Sequence, residues 1–198
     1  MNKASGRLQR IVESRSERRR AIIIFAGAAI AASIIGLDAE AHGPTPHKID
    51  ESVAIGAKPE AVWALIGDFA NLSKWHPLVA ESSAKSDEIQ GKLRVFTLKS
   101  GGQVVDGLTE YDPSKMTYSY RRVDEDVKAL PVSSYTATIT VEPSADGTAK
   151  VEWIGRYYRG DTGNDPPEEL NDEAATKAMT DFFQSGLRNL KSLAEHKG

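Results

Sequence analysis

The sequence contains no cysteine among its 198 residues. This absence excludes disulfides, thiolate metal sites, iron–sulfur clusters and cysteine nucleophiles, so stability has to come from burial of a core. The 16 glycines are far too few for a collagen-like repeat, and a mean hydropathy of −0.40 is too polar for several membrane spans. With 40% hydrophobic residues, the composition is that of a globular protein with one domain and an additional segment.

The sequence also lacks the common catalytic and cofactor motifs. It has no glycine-rich phosphate loop, no G-x-S-x-G nucleophile elbow and no H-E-x-x-H pair. The four histidines, at positions 42, 47, 76 and 196, do not have the spacing of metal ligands on one helix. We therefore expect no metal and no cofactor. One alternative depends on cleavage of the chain before His42. As the new N-terminal residue, His42 would then chelate Cu²⁺ instead of lying in a disordered terminus.

The first 41 residues differ from the rest. Residues 1–20 hold seven Lys and Arg against two Glu, and an uncharged run follows from Ala21 to Ile35. Ala39-Glu40-Ala41 then has the small-x-small pattern that signal peptidase accepts, which makes His42 the new N-terminus. This order predicts a cleaved signal peptide over residues 1–41 and a periplasmic protein that is not inserted in the membrane after cleavage.

Two alternatives stay open for this segment. Ala21–Leu37 has 17 residues, at the short limit of the ~17–25 that span a bilayer, so an uncleaved anchor is one of them. The other concerns the export route, because Arg19-Arg20 before the apolar run is compatible with twin-arginine export as well as with the general route.

The remainder of the chain is acidic. Residues 1–41 hold seven of the 25 basic and four of the 28 acidic side chains, so residues 42–198 carry 18 against 24, a net charge of −6. This balance argues against a nucleic-acid partner, which requires clustered Lys and Arg. Acidic residues cluster at Asp124-Glu125-Asp126 and over residues 161–173. We interpret both clusters as solvated loops or as docking surfaces for a basic partner, with Asp124, Glu125 and Asp126 as the docking candidates.

The hydrophobic period changes along the chain in an informative order. Ile49, Val53 and Ile55 alternate as in a strand, and Pro59 begins a short helix that is followed by a second short helical turn over residues 71–74. Turn residues then separate predicted strands at 78–86, 92–99, 103–111, 116–123, 132–142 and 149–158. An apolar stripe predicts a C-terminal helix of about 25 residues.

This order predicts an α+β fold. The natural arrangement is a curved antiparallel sheet of about seven strands wrapped around the long C-terminal helix, with two short helices after the first strand. Trp63 and Phe182 are predicted to be buried in the core, and Gly101-Gly102 is interpreted as a tight hairpin in preference to a ligand gate.

The opening of the predicted domain resembles a known superfamily. Residues 59–69, with the sequence PEAVWALIGDF, followed by Trp75-His76-Pro77, are similar to the start of SRPBCC proteins, the START/Bet v 1-like group that includes polyketide cyclases and dehydrases. The resemblance implies the helix-grip fold over residues 48–195, with residues 42–47 as a flexible N-terminus.

A narrower resemblance lies within the first. Residues 41–46, 130–138 and the pair of segments 158–160 and 164–171 are similar to MxaD-type periplasmic proteins. Those proteins are associated with methanol oxidation, and the resemblance implies a role in the contact between methanol dehydrogenase and its cytochrome c.

The superfamily resemblance also implies a cavity between the sheet and the long helix. The candidate ligand-binding residues are Trp75, His76, Asp106, Tyr135, Arg156, Tyr158 and Phe182. Packing as an ordinary core is the alternative for this set. The register of the last strand also stays open, since Val151 and Trp153 indicate one inward face, and Ile154, Arg156 and Tyr158 indicate the other.

Three functions remain. The preferred one is a non-catalytic accessory protein that meets a redox partner through its acidic loops and an exposed Trp75-His76-Pro77 corner. The second is binding or transport of a small hydrophobic, lipid-like ligand in the cavity. The third, a cyclase or dehydratase, requires an acid–base pair such as His76 and Asp106 within hydrogen-bond reach.

Overall fold

The computed structural model describes residues 44–87, 91–124 and 126–196. The predicted signal peptide, His42 and Glu125 lie outside these ranges. No helix in the described part is long and apolar enough to cross a membrane.

The described elements follow the predicted order. The strands are β1 (His47–Ile55), β2 (Val79–Asp87), β3 (Gly91–Leu98), β4 (Gln103–Asp112), β5 (Thr117–Arg122), β6 (Val132–Pro143) and β7 (Ala149–Arg159). The helices are α1 (Pro59–Ile66) and α2 (Asp172–His196), with 3₁₀ turns at Leu72–Lys74 and Glu168–Leu170. The second predicted short helix is thus a single 3₁₀ turn, because Pro77 disfavours helical geometry at His76.

The seven strands form one antiparallel sheet in the order β1-β7-β6-β5-β4-β3-β2. Each hairpin brings consecutive strands together from β2 to β7, and β1 closes the far edge by pairing with β7. β1 begins at His47, whose backbone pairs with Tyr157 and whose Nε2 lies 2.8 Å from the Asp172 carboxylate at the start of α2. The sheet curves around α2, as predicted for a helix-grip fold.

α2 buries one stripe against the sheet. Its buried residues recur every three or four positions, as an amphipathic helix requires: Ala175, Met179, Phe182, Phe183, Gly186, Leu187, Leu190 and Ala194. Phe183 stacks on Trp153 of β7 with ring centroids 4.1 Å apart. Gly186 is required by close packing, because a Cβ there would lie 2.7 Å from the His76 ring.

β7 shows which of the two possible registers is correct. Val151, Trp153 and Tyr157 are buried, whereas Arg156 is exposed and Tyr158 is half-buried on the outer face. The expectation that Arg156 and Tyr158 project inward was therefore wrong. Since successive side chains of a strand alternate, burial of the large Trp153 ring forces Arg156 to the other face.

Candidate functional site

A polar cluster lies inside the domain, formed by Arg94 of β3, Asp106 of β4 and Tyr135 of β6; we call it the interior cluster. Arg94 Nη2 donates to Asp106 Oδ2 at 2.5 Å, and the Tyr135 hydroxyl donates to Asp106 Oδ1. Arg94 Nη1 donates to the Phe69 carbonyl oxygen at 3.1 Å. Adjacent strands position the ion pair, because Arg94 and Asp106 are directly opposite each other in the β3–β4 register.

Aromatic rings surround the guanidinium of Arg94. Its Cζ lies 4.3 Å from the ring centre of Phe69, 4.9 Å from that of Tyr120 and 5.5 Å from that of Phe96. These distances are those of cation–π contacts, which partly replace the lost hydration of the charge. Arg94 Nε is buried and has no hydrogen-bond partner in the described part of the chain.

Burial and charge act in opposite directions on the two ionisable partners. Burial raises the pKa of Asp106, and the neighbouring guanidinium of Arg94 opposes that rise. Burial lowers the pKa of Arg94, but the Asp106 carboxylate and the nearby Tyr118 and Tyr120 together outweigh burial, so the pKa is raised. Arg94 therefore stays charged and keeps Asp106 as its counter-ion.

His76 lies beneath α2 and is buried. Its ring stacks on Phe182 with centroids 3.9 Å apart, and its Nε2 donates to the Phe182 carbonyl oxygen at 2.9 Å. Its Nδ1 accepts the Leu78 amide hydrogen at 3.3 Å. One nitrogen thus donates and the other accepts, which is the pattern of a neutral imidazole. Burial lowers the pKa of His76 to about 3, against the opposing effect of the Phe182 carbonyl.

The Trp75-His76-Pro77 corner is not exposed, contrary to expectation. Trp75 and His76 are each 1% exposed, because α2 crosses over them. Asn189 of α2 donates to the Trp75 carbonyl oxygen at 2.8 Å, and the Trp75 ring packs 5.5 Å from that of Trp153. The corner is a core element of the domain and is not available as a docking surface.

The acid–base pair that a cyclase or dehydratase would require from His76 and Asp106 is not formed. The Asp106 carboxylate is bound by Arg94 and Tyr135, and both ring nitrogens of His76 are bound by backbone groups of Phe182 and Leu78. Both residues are also buried, with Asp106 0% and His76 1% exposed, so neither is presented to a substrate from solvent.

A small cleft of about 250 Å³, which we call the mouth cleft, opens beside α2. It is lined mainly by Leu78, Leu98, Leu130, Ala178 and Phe182. The β3–β4 turn closes one side: Gly101 and Gly102 both have positive φ, and a Cβ at Gly102 would lie 2.6 Å from the Ala129 Cβ. Phe182 separates this cleft from His76.

The loop that carries the predicted docking residues is held by Arg122. Its Nη1 donates to the Leu130 and Val132 carbonyl oxygens at 3.1 and 2.6 Å, and its Nη2 donates to Asp124 Oδ2 at 2.7 Å. Asp124 also accepts the Val105 amide hydrogen at 2.7 Å. Asp124 is thus the counter-ion of a buried arginine, whereas Asp126 is exposed and Glu125 lies outside the described residues.

A larger pocket of about 620 Å³, which we call the groove, lies between α1 and strands β2 to β4. Its walls are mainly apolar, and its rim is charged. It is lined by Trp63, Ala64, Gly67, Asp68, Phe69, Ala70, Ala84, Lys85, Ser86, Lys92, Leu93, Leu108 and Tyr111. Trp63, predicted as core, is half-buried because one side of its ring faces this space.

Two arginines that were not predicted to lie inside, Arg94 and Arg122, are buried. Arg94 shares strand parity with Phe96 and Leu98, and Arg122 shares it with Tyr118 and Tyr120. Because these neighbours of the same parity are buried, strand alternation alone could have predicted that both arginines are buried. Within the described residues, no group of three or more His, Asp or Glu side chains is arranged to hold a metal ion.

Comparisons with known proteins agree with this geometry. Residues 46–195 match the model of a family described as polyketide cyclase / dehydrase and lipid transport. An uncharacterised protein from Bacillus thuringiensis is 26% identical, with a TM-score of 0.61 over 75% of this chain and 98% of that chain. XoxI from Bacillus cereus is 27% identical, with a TM-score of 0.60 over 74% and 94%.

A more distant similarity extends to an enzyme. The Zhui aromatase/cyclase from Streptomyces sp. R1128 has a TM-score of 0.62 over 77% of this chain and 96% of that chain, at 12% identity. That identity shows a common fold only. No curated protein matches the chain.

Proposed function

Since this chain belongs to the polyketide cyclase/dehydrase and lipid-transport family, we propose that it binds a small hydrophobic molecule without turning it over. The groove is the observation that carries this proposal. Its volume of about 620 Å³ falls within the roughly 300–1,000 Å³ of typical ligand pockets. Its Trp63, Phe69 and Tyr111 rings offer the apolar contact area such a ligand needs.

The hydrogen bonds that buried polar side chains already make within the protein support the proposal that it is not catalytic. General acid–base catalysis needs a side chain within hydrogen-bond reach of a substrate proton. The hydrogen-bonding positions of His76 and the carboxylate of Asp106 are used within the protein, and the low pKa of His76 keeps its ring neutral at physiological pH.

Calorimetric titration with 1-dodecanol and 2-naphthol tests the groove. Ala64 is exposed and lines the groove, whereas Ala61 is exposed on the same helix outside it. We expect Ala64→Phe to weaken binding at least tenfold and Ala61→Phe to leave it unchanged. Equal affinities of the two variants would place the ligand elsewhere, and no binding by the unaltered protein would refute the proposal.

A second candidate is the accessory role in methanol oxidation, favoured by the contact between the segments that resemble MxaD-type proteins. A Cβ at Gly160 would lie 3.2 Å from the Pro131 carbonyl carbon and 2.8 Å from the Leu170 side chain. Arg159 Nη1 donates to Asp172 at 2.7 Å, and its Nη2 donates to the Gly163 carbonyl oxygen at 2.7 Å. These contacts hold the acidic segment 161–173 at one surface, where it would meet a basic partner.

Stopped-flow electron transfer between a methanol dehydrogenase and its cytochrome c tests this role. Asp165, Glu168 and Glu169 are exposed on the acidic segment. Their combined change to Asn, Gln and Gln should slow the assisted reaction and flatten its salt dependence. Neutralising the exposed Glu60, Glu81 and Glu110 is the matched control. If the unaltered protein has no effect at any ionic strength, the accessory role is refuted.

Both functions are proposed for the periplasm, on the signal-peptide pattern of residues 1–41. The intact mass of the exported protein should correspond to a chain that begins at or near His42. A mass that includes residues 1–41 in a membrane fraction would contradict this location.

A further inference from the structure

The outer face of the sheet, away from α2, carries a row of basic side chains. Lys48 of β1 is directly opposite Arg156 of β7. Thr136 of β6 is opposite Arg156 on one side and opposite Arg121 of β5 on the other. Residues directly opposite each other in antiparallel strands project from the same face of the sheet, and all four are exposed. We call these four residues the outer row.

Stability of the sheet does not explain this row. Like charges directly opposite each other are destabilising, and Lys48 and Arg156 are such a pair. The Lys48 ammonium is bound by Asp50 at 2.6 Å, whereas Arg156 forms no hydrogen bond or ion pair within the described part of the chain. Since residues 42–198 carry a net charge of −6, acidic residues are abundant, yet none of the described ones pairs with Arg156. Its guanidinium is therefore open to a ligand.

The hydroxyl in the middle of the outer row is also unused. Thr136 forms no side-chain hydrogen bond within the described residues. The next two outer hydroxyls of β6 differ from it, because Thr138 pairs with Ser119 of β5 at 2.8 Å. Thr140 pairs with Thr117 at the same distance. Unlike these two, the Thr136 hydroxyl is available to a ligand that supplies an acceptor.

The spacing of the two arginines fits one small anion. Neighbouring strands are about 4.8 Å apart, so the Cα atoms of Arg121 and Arg156, two strands apart, are separated by about 10 Å. Their long side chains flank Thr136 and can converge on a group above its hydroxyl. Arg121 also has a contact of its own, but a guanidinium has several N–H donors, and one contact leaves others for an anion.

From this arrangement we propose that Arg121, Thr136 and Arg156 bind a phosphate group, with Lys48 adding positive charge beside it. Phosphate oxygens supply acceptors, and the planar fork of arginine matches two of them at once. The headgroup of an anionic phospholipid and a free phosphate ester present the same oxygens. The groove lies between α1 and strands β2 to β4, so this site is separate from the proposed hydrophobic site and does not depend on it.

The acidic residues of β5, β6 and β7 lie at the other end of these strands. Glu142 and Glu152 are 3.9 and 3.2 Å from the Lys150 ammonium. Glu152 is four residues from Arg156 along β7, which corresponds to about 13 Å. This distance exceeds the ~8 Å over which fields are screened at physiological salt, so the arginines set the local charge. Because the outer row is exposed, phosphate binding should weaken with added salt.

Calorimetric titration with inorganic phosphate and with glycerol 3-phosphate, at low salt and pH 7.5, tests the site. The double variant Arg121→Gln/Arg156→Gln should weaken binding of both anions roughly tenfold or more. Thr136→Val keeps the shape of the side chain and should weaken binding about threefold. Thr140→Val is its matched control, since that hydroxyl is already paired with Thr117, and it should leave binding unchanged.

Two further measurements separate binding from folding and from total charge. The variant Lys74→Gln/Arg188→Gln removes the same charge from exposed positions outside the outer row, and its phosphate affinity should equal that of the unaltered protein. In urea denaturation, Arg156→Gln should be at least as stable as the unaltered protein, because it removes a repulsion and no described contact. A role in stability alone would instead lower the free energy of unfolding.

Co-sedimentation distinguishes the two sources of the phosphate group. Vesicles of phosphatidylcholine with phosphatidylglycerol are compared with vesicles of phosphatidylcholine alone. Sedimentation with the anionic vesicles that is lost in the double arginine variant assigns the lipid headgroup. Binding of glycerol 3-phosphate without sedimentation assigns a free phosphate ester. The inference is overturned if neither anion nor anionic vesicles bind the unaltered protein, or if the double arginine variant binds them as well as the charge control does.

Discussion

The interior cluster and the groove contain the same kinds of side chain and differ in how their polar groups are used. Both combine aromatic rings with basic groups: Arg94 lies among Phe69, Phe96 and Tyr120, and Lys92 lines the groove with Trp63 and Tyr111. Inside, Asp106 and Tyr135 complete the cluster. In the groove, Lys92 has no acceptor in the described part of the chain.

This difference supports the groove, and not the interior cluster, as the proposed ligand site. A buried polar group costs free energy unless it is hydrogen-bonded, so a satisfied interior is what a stable fold requires. Inside, Arg94 Nε is the one buried side-chain polar atom without a partner among the described residues. Unused donors cost less where water reaches them, and there they can bind a ligand at little cost to the fold. The hydrogen bonds of Asp106 and Tyr135, both predicted as ligand-binding residues, are made within the interior cluster and stabilise the fold.

Breaking the interior ion pair should have the largest effect. In Asp106→Asn, the Arg94 charge stays buried without a counter-ion, and we expect a loss of about 3–5 kcal/mol in the free energy of unfolding. Urea denaturation at pH 7 measures this loss.

The control for this change is Asp50→Asn, which removes an exposed ion pair with Lys48 at 2.6 Å. Exposed pairs contribute about 0–1 kcal/mol, so the control should be nearly as stable as the unaltered protein. Similar losses for both variants would mean that the interior cluster does not stabilise the fold.

The next largest effect concerns pH. His76 has a pKa of about 3 in the folded protein and 6.5 as its ordinary value, so below pH 6.5 the unfolded chain binds a proton that the folded one does not. Stability is therefore lost as the pH falls through this window, by about 2 kcal/mol between pH 5.5 and 4 for this group.

The variant His76→Gln isolates that contribution. Other groups also lower stability in acid, among them Asp112, whose pKa is lowered to about 2 by hydrogen bonds from Ser114 and Lys115. The quantity to compare is therefore the slope of the free energy of unfolding against pH. That slope should be smaller in the variant by about 1.4 kcal/mol per pH unit. Equal slopes would show that His76 is not buried as a neutral ring.

The interior was largely predictable because strand alternation assigns each side chain to a face. Asp106, Tyr135 and Phe182 were expected inside, and all are buried. His76 was a candidate both for the cavity and for an exposed corner, and it is buried. Arg156 was misplaced because β7 has apolar residues on both parities, and only the packing of Trp153 against α2 decides between them. The fold class was predictable from the order of strands and helices along the chain.

The groove was not predictable because it depends on an irregularity in pairing. The β4–β5 register shifts between Leu108 and Glu110, which is the signature of a β-bulge. In a regular strand, Leu108 and Tyr111 would point to opposite faces, since they are three residues apart. The bulge lets both line the groove, and no residue pattern in the sequence marks its position.

Removing one hydroxyl from the interior should have an intermediate effect. In Tyr135→Phe, Asp106 keeps its bond from Arg94 and loses the one from the tyrosine. We expect a loss of about 1–2 kcal/mol in urea denaturation, because one buried acceptor is left without a donor. A cost as large as that of Asp106→Asn would mean that the tyrosine, and not the ion pair, holds the cluster together.

The smallest effect on stability is expected in the groove, with the largest effect on binding. Tyr111 is 45% exposed and its ring lies 6.0 Å from that of Trp63, so Tyr111→Ala should cost below about 1 kcal/mol in unfolding free energy. The same change removes an aromatic wall and should weaken 2-naphthol binding at least fivefold. Leu78→Ala is the matched control, since Leu78 is 39% exposed but lines the mouth cleft. If Leu78→Ala weakens binding and Tyr111→Ala does not, the mouth cleft, and not the groove, is where the ligand binds.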